Sequence, residues 1–75
     1  MTKNAYDSII SAAFKMHQDS PYNDLWQHFS VEELMGQAAY KAKRGSLLGA
    51  EAPKVKDDAL DAINMLVFAL AKMKR

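Results

Sequence analysis

At 75 residues, with no cysteine and a formal charge of +1, the chain is expected to form one small domain spanning residues 1–75. Disulfides and thiolate zinc sites are excluded, and two histidines, His17 and His28, are too few for a closed zinc site. A chain this short buries only about 60% of its unfolded surface, so good helix packing or oligomerisation must stabilise it.

The charge argues neither for nor against nucleic acid, and no nucleic-acid partner is expected. Residues 1–20 carry no signal-peptide pattern, and the longest apolar run, residues 65–71, is far short of the ~20 residues of a membrane span. A soluble cytoplasmic protein is expected.

Tyr6, Ile9, Ile10, Ala13 and Phe14 recur at three-four spacing and predict an amphipathic helix over residues 4–18. Thr2 or Asn4 would cap it. Asp19-Ser20-Pro21 would end it, because the residue before proline avoids the helical region. Residues 19–29 read as loop with one helical turn starting at Pro21 and capped by Ser20. Tyr22, Trp26 and Phe29 are too many aromatics for a plain linker and should fold onto the helices.

Ser30-Val31-Glu32-Glu33 is a capping box, with Phe29 and Leu34 in the staple positions. The second helix should run to Arg44, with Gly45 as its left-handed C-cap. Gly36, Ala38, Ala39 and Ala42 make this helix thin, which lets a neighbour approach. Pro53 would open the third helix at or near its first position. From Ala62 onward this helix is apolar nearly all round, and a helix apolar on every side is buried on every side. Two other helices cannot cover it. The expected fold is therefore all-α: three helices, the second and third an antiparallel pair, assembling at least as a dimer through the third.

Two clusters carry possible chemistry. Asp57, Asp61 and Asn64 share one helical face, with Asp58 beside Asp61. Carboxylates one turn apart suit a hard cation such as magnesium, and Asn64 could bond a base or sugar. The plain alternative is an acidic helix start that complements the dipole, with Asn64 fixing helix register. Lys41 and Arg44 share a face of the second helix and suit a phosphate; the plain alternative is dipole complement and solubility. A basic cluster beside an acidic one can hold phosphate and metal together, or form a self-neutralising surface. Tyr22 could stack on a base, whereas Trp26 reads better as a plug for the helix ends.

Three ordered pieces, Tyr22-x-x-x-Trp26, Lys41-x-x-Arg44 followed by Leu47-Leu48, and Asp57-x-x-x-Asp61-x-x-Asn64, resemble the nucleotide-modification-associated domain family of phages. That all-α family is grouped near the MazG-like nucleotide pyrophosphohydrolases. The third piece is similar to the family helix D-x-x-x-D-L-x-N-Y, with Ala62 for its leucine and Met65 for its tyrosine. The resemblance covers residues 22–70 and implies nucleotide chemistry or binding in a phage or prokaryotic setting. It would place Lys41 and Arg44 near phosphates, and Asp57 and Asp61 near a metal or nucleotide. MazG-like hydrolases carry an E-x-x-E motif on an earlier helix. Here Glu32 and Glu33 have Met35 and Gly36 at the partner positions.

The favoured expectation is therefore a nucleotide-binding protein that captures a nucleotide or nucleotide signal between subunits, for example to sequester a defence signal. Its nucleotide-facing residues would be Lys41, Arg44, Asn64 and Tyr22. The alternative is a magnesium-dependent pyrophosphohydrolase using Asp57, Asp58 and Asp61. A third reading is a structural interaction module without a ligand.

Overall fold

The computed structural model describes residues 1–74. Among them are three α-helices, α1 (Lys3–Asp19), α2 (Val31–Leu48) and α3 (Val55–Met73), with a 3-10 turn at Leu25–His28 and no strand. No helix among these residues is long and apolar enough to cross a membrane.

α1 starts where Thr2 accepts the Ala5 N–H at 3.1 Å through Oγ1. It ends at Ser20, whose extended backbone leads into Pro21. Both limits lie within one residue of the sequence expectation. Ser20 Oγ then accepts the Tyr22 N–H at 3.1 Å, but residues 21–24 form a non-helical turn and not the helical turn expected from Pro21. The 3-10 turn itself forms later, from Leu25. Trp26 does fold inward: its ring stacks on Phe68 of α3 at 4.9 Å with a 15° interplanar angle. The far end of the turn is fastened by Lys72 of α3, whose Nζ donates to the carbonyls of Gln27, at 2.9 Å, and Phe29.

The capping box of α2 is complete. Ser30 Oγ accepts the Glu33 N–H at 3.0 Å, and Glu33 Oε1 accepts the Ser30 N–H at 2.9 Å. These bonds hold the Glu33 carboxyl below its ordinary range. Phe29 packs against the core cluster that contains Leu34.

Two expected boundaries are corrected. α2 does not stop at Gly45; it continues to Leu48, and Gly49, at φ 86°, is the cap, with its N–H on the Gly45 carbonyl at 3.1 Å. Gly45 stays helical and faces α3: a Cβ there would be in ordinary contact, 3.8 Å from both Asp58 Cβ and Val55 Cγ1. Nor does α3 begin at Pro53. The Val55 N–H reaches the Ala52 carbonyl at 3.2 Å, so Pro53 occupies the second position of a tight turn, where its fixed φ is favoured. The helix starts at Val55.

The two open-sided glycines of α2 give opposite expectations. Gly36 lies inside the helix, and a Cβ there would meet nothing within 4 Å; Gly36→Ala should stabilise by ~0.5–1 kcal/mol. Gly49 has the same open space but a positive φ, so Gly49→Ala should destabilise by ~1 kcal/mol or more. Urea unfolding of the two variants must give midpoint shifts of opposite sign.

α2 and α3 run antiparallel and pack closely: Leu34 lies near Phe68 and Ala69, Lys41 meets Asp61, and Arg44 meets Asp58. α1 packs mainly on α3 and buries only Ala13. The core comprises Leu34, Phe68 and Ala69, backed by half-buried Trp26, Phe29, Val31 and Met65. Asn64 is buried and donates through Nδ2 to the Ala13 carbonyl at 2.9 Å, which fixes α1 against α3. The remaining apolar side of α3 is uncovered: Leu66, Val67, Leu70 and Met73 are exposed.

Candidate functional site

Side chains at three-four spacing on α3 share one face, and Asp61, Asn64, Met65 and Phe68 do so here. They floor a cavity of about 340 Å³. Met16 and His17 at the end of α1, Tyr22, Trp26 and Phe29 of the connecting segment, and Gln37 of α2 complete its wall. The aromatic part is ordered by ring packing. Phe68 stacks on Trp26 and receives the His17 ring edge-on at 4.8 Å. The polar part is Gln37, Asp61, Asn64, Ser20 and Asn23. All of these elements belong to one chain.

Of the residues selected from sequence, Tyr22, Asp61 and Asn64 line this cavity. Asn64 also performs the register role, through its bond to Ala13. Tyr22 is 73% exposed and stands at the rim. Trp26 is at once a plug for the helix ends and a wall of the cavity. His17, Gln37 and Phe68 were not selected. Their signal was present only as periodicity: Gln37 lies one turn after the core residue Leu34 and one turn before Lys41, and Phe68 lies one turn after Asn64.

The charged residues are arranged differently. Arg44 Nε donates to Asp58 Oδ2 at 3.0 Å, and its Nη2 donates to Oδ1. The guanidinium also lies 5.7 Å from the centre of the Tyr40 ring. Asp58 is buried. The Arg44 hydrogen bonds hold its carboxyl below the usual carboxylate range, against burial, which pushes it up. The same bonds raise the Arg44 pKa further above its ordinary value. One turn away, Lys41 Nζ lies 3.1 Å from Asp61 Oδ2. Asp57 is exposed on the first turn of α3.

Lys41-x-x-Arg44 and Asp58-x-x-Asp61 therefore form a two-rung ladder across the antiparallel pair. Both oxygens of Asp58 are engaged by Arg44. Among the described residues no group of three or more histidine or carboxylate side chains is placed to hold a metal ion. Of the three carboxylates expected near magnesium, Asp58 and Asp61 each face a cation of α2, and Asp57 is exposed. Asp61 alone joins the ladder to the cavity.

Comparison with protein-family models, curated proteins and solved structures finds no match to this chain.

Proposed function

We propose that the chain binds a nucleotide or nucleotide-derived small molecule in this cavity and does not hydrolyse it. The observation that carries the reading is a single cavity, of small-molecule size, that joins an aromatic wall to amide and carboxylate groups. An aromatic wall suits the face of a nucleobase, and Gln37 and Asn64 suit its polar edge. The resemblance of residues 22–70 to the phage nucleotide-modification-associated family supports the same ligand class. Binding is favoured over hydrolysis because Asp58 is committed to Arg44 and Asp61 to Lys41. In the phage setting that the resemblance implies, sequestration of a nucleotide signal in the host cytoplasm is the role that fits.

The chain holds one tryptophan, and it lines the cavity, so its fluorescence reports occupancy directly. A titration with AMP, ATP and a cyclic dinucleotide, with and without magnesium, should quench Trp26 emission for at least one of them. Tyr22→Ala should weaken that ligand roughly 5- to 150-fold, the span of one base–aromatic stack worth about 1–3 kcal/mol. It should leave the melting temperature of the free protein unchanged, because Tyr22 is largely exposed. The ligand recovered by heating should be intact. Pyrophosphate release that disappears in Asp61→Asn would establish a hydrolase instead. No quenching and no thermal shift with any of the three would sink nucleotide binding altogether.

A further inference from the structure

The uncovered side of α3 has a regular pattern. Ala59, Ile63, Leu66, Leu70 and Met73 follow four-three-four-three spacing, the period that keeps a seam facing another helix in a coiled coil. None of these residues belongs to the chain's own buried core. They lie opposite Asn64 and Phe68, which face α1 and the cavity. Tyr6, Ile9 and Ile10 of α1, with Val67, flank the seam and form with it an apolar groove of about 350 Å³.

We infer that this seam is the interface of a homodimer, with α3 of a second copy lying antiparallel along it. Three observations select a second copy. First, the seam itself carries no charged or hydrogen-bonding side chain, so it complements itself and offers nothing for a charged partner to read. A two-fold axis across the helices buries the same patch twice and sets the helix dipoles antiparallel. Second, the size is right. Tyr6, Ile9, Ile10, Leu66, Val67, Leu70 and Met73 are each 38–59% exposed. Together they present on the order of 700 Å² of apolar surface, close to the ~800 Å² that each partner contributes to a standard interface. Third, the chain needs the burial. Leu34 and Phe68 are the only large apolar side chains buried among the described residues, and α1 buries Ala13 alone. Pairing through α3 sets the two cavities on the outer sides of the dimer, away from the interface. The inference is independent of what those cavities bind.

Sedimentation equilibrium across the micromolar range should give twice the chain mass of 8.4 kDa. Leu70→Asp should return the mass to that of one chain. Because the isolated chain is small and could unfold on dissociation, a second measurement leaves the fold intact. Leu66 is the middle residue of the seam, so in an antiparallel pair it faces its own symmetry mate. In this cysteine-free chain, Leu66→Cys should cross-link to a covalent dimer under mild oxidation. Lys43→Cys, on the exposed side of α2, should not. A wild-type mass of one chain at every concentration, or Leu66→Cys linking no faster than Lys43→Cys, overturns the inference.

Discussion

Replacing Arg44 with methionine should lower the thermal midpoint by on the order of 10 °C, because it strands the buried Asp58 carboxylate, although the half-exposed Arg44 side chain keeps the loss below that of a fully buried pair. Asp58 is only 1% exposed, and Arg44 supplies both of its side-chain hydrogen bonds. Methionine keeps the apolar stem and removes the guanidinium, so the loss reports the missing partner and not a hole. Converting both residues to methionine should recover most of the midpoint, since an apolar pair of similar bulk does not carry the desolvation cost of two ions. The pH dependence separates the cases further. In the wild type the Asp58 carboxyl sits below its ordinary range. Its stabilisation is therefore full above the unfolded value near ~4 and is lost as pH falls through the lower folded value. In Arg44→Met the dominant remaining influence is burial, which raises the carboxyl pKa. The folded state then binds the proton more tightly than the unfolded state, and stability should rise as pH falls from neutral. Thermal melts from neutral to acid pH give slopes of opposite sign for the two proteins. Equal slopes would show that Arg44 does not govern Asp58.

The ladder also shows where the sequence stops being informative. Its two motifs were visible: a basic pair and an acidic pair, each three residues apart. Whether they would hold a ligand together or neutralise each other depends on the register of α2 against α3. That register follows from where α2 ends and how the connection turns, and both were misplaced by a few residues. Gly45 carries the ordinary mark of a C-cap, yet it stays helical because the chain turns only at Gly49, where φ is positive. Pro53 suits a helix start as well as it suits the turn it makes. Local signals without a rival were read correctly: the capping box at Ser30, the end of α1 before Pro21, and the inward fold of Trp26. The cavity was the least legible feature. It depends on α1 crossing α3 at Asn64, a contact between residues 51 positions apart that no local pattern encodes.

That crossing is anchored by Phe68, and Phe68→Ala should be the most damaging apolar truncation, costing about 3–5 kcal/mol. A domain of this size has about 4–11 kcal/mol in total, so the loss is a large share of the whole. The size of the effect comes from position as much as from volume. The Phe68 ring is 8% exposed and touches three parts of the fold. It stacks on Trp26, takes the edge of His17 from α1, and joins Leu34 of α2 in the core. Phe68→Leu keeps most of the buried volume but removes the ring pair, and should cost less, ~1–2 kcal/mol. Trp26 emission distinguishes loss of this contact from general weakening. In Phe68→Ala the tryptophan loses its covering ring, so its emission should shift to the red even at low temperature, where the chain is still folded. In Arg44→Met, whose lesion lies at the other end of the α2–α3 pair, Trp26 emission should stay native until the melt begins. A Phe68→Ala protein with native emission and a midpoint near the wild type would mean that the wall of the cavity is not held where it stands.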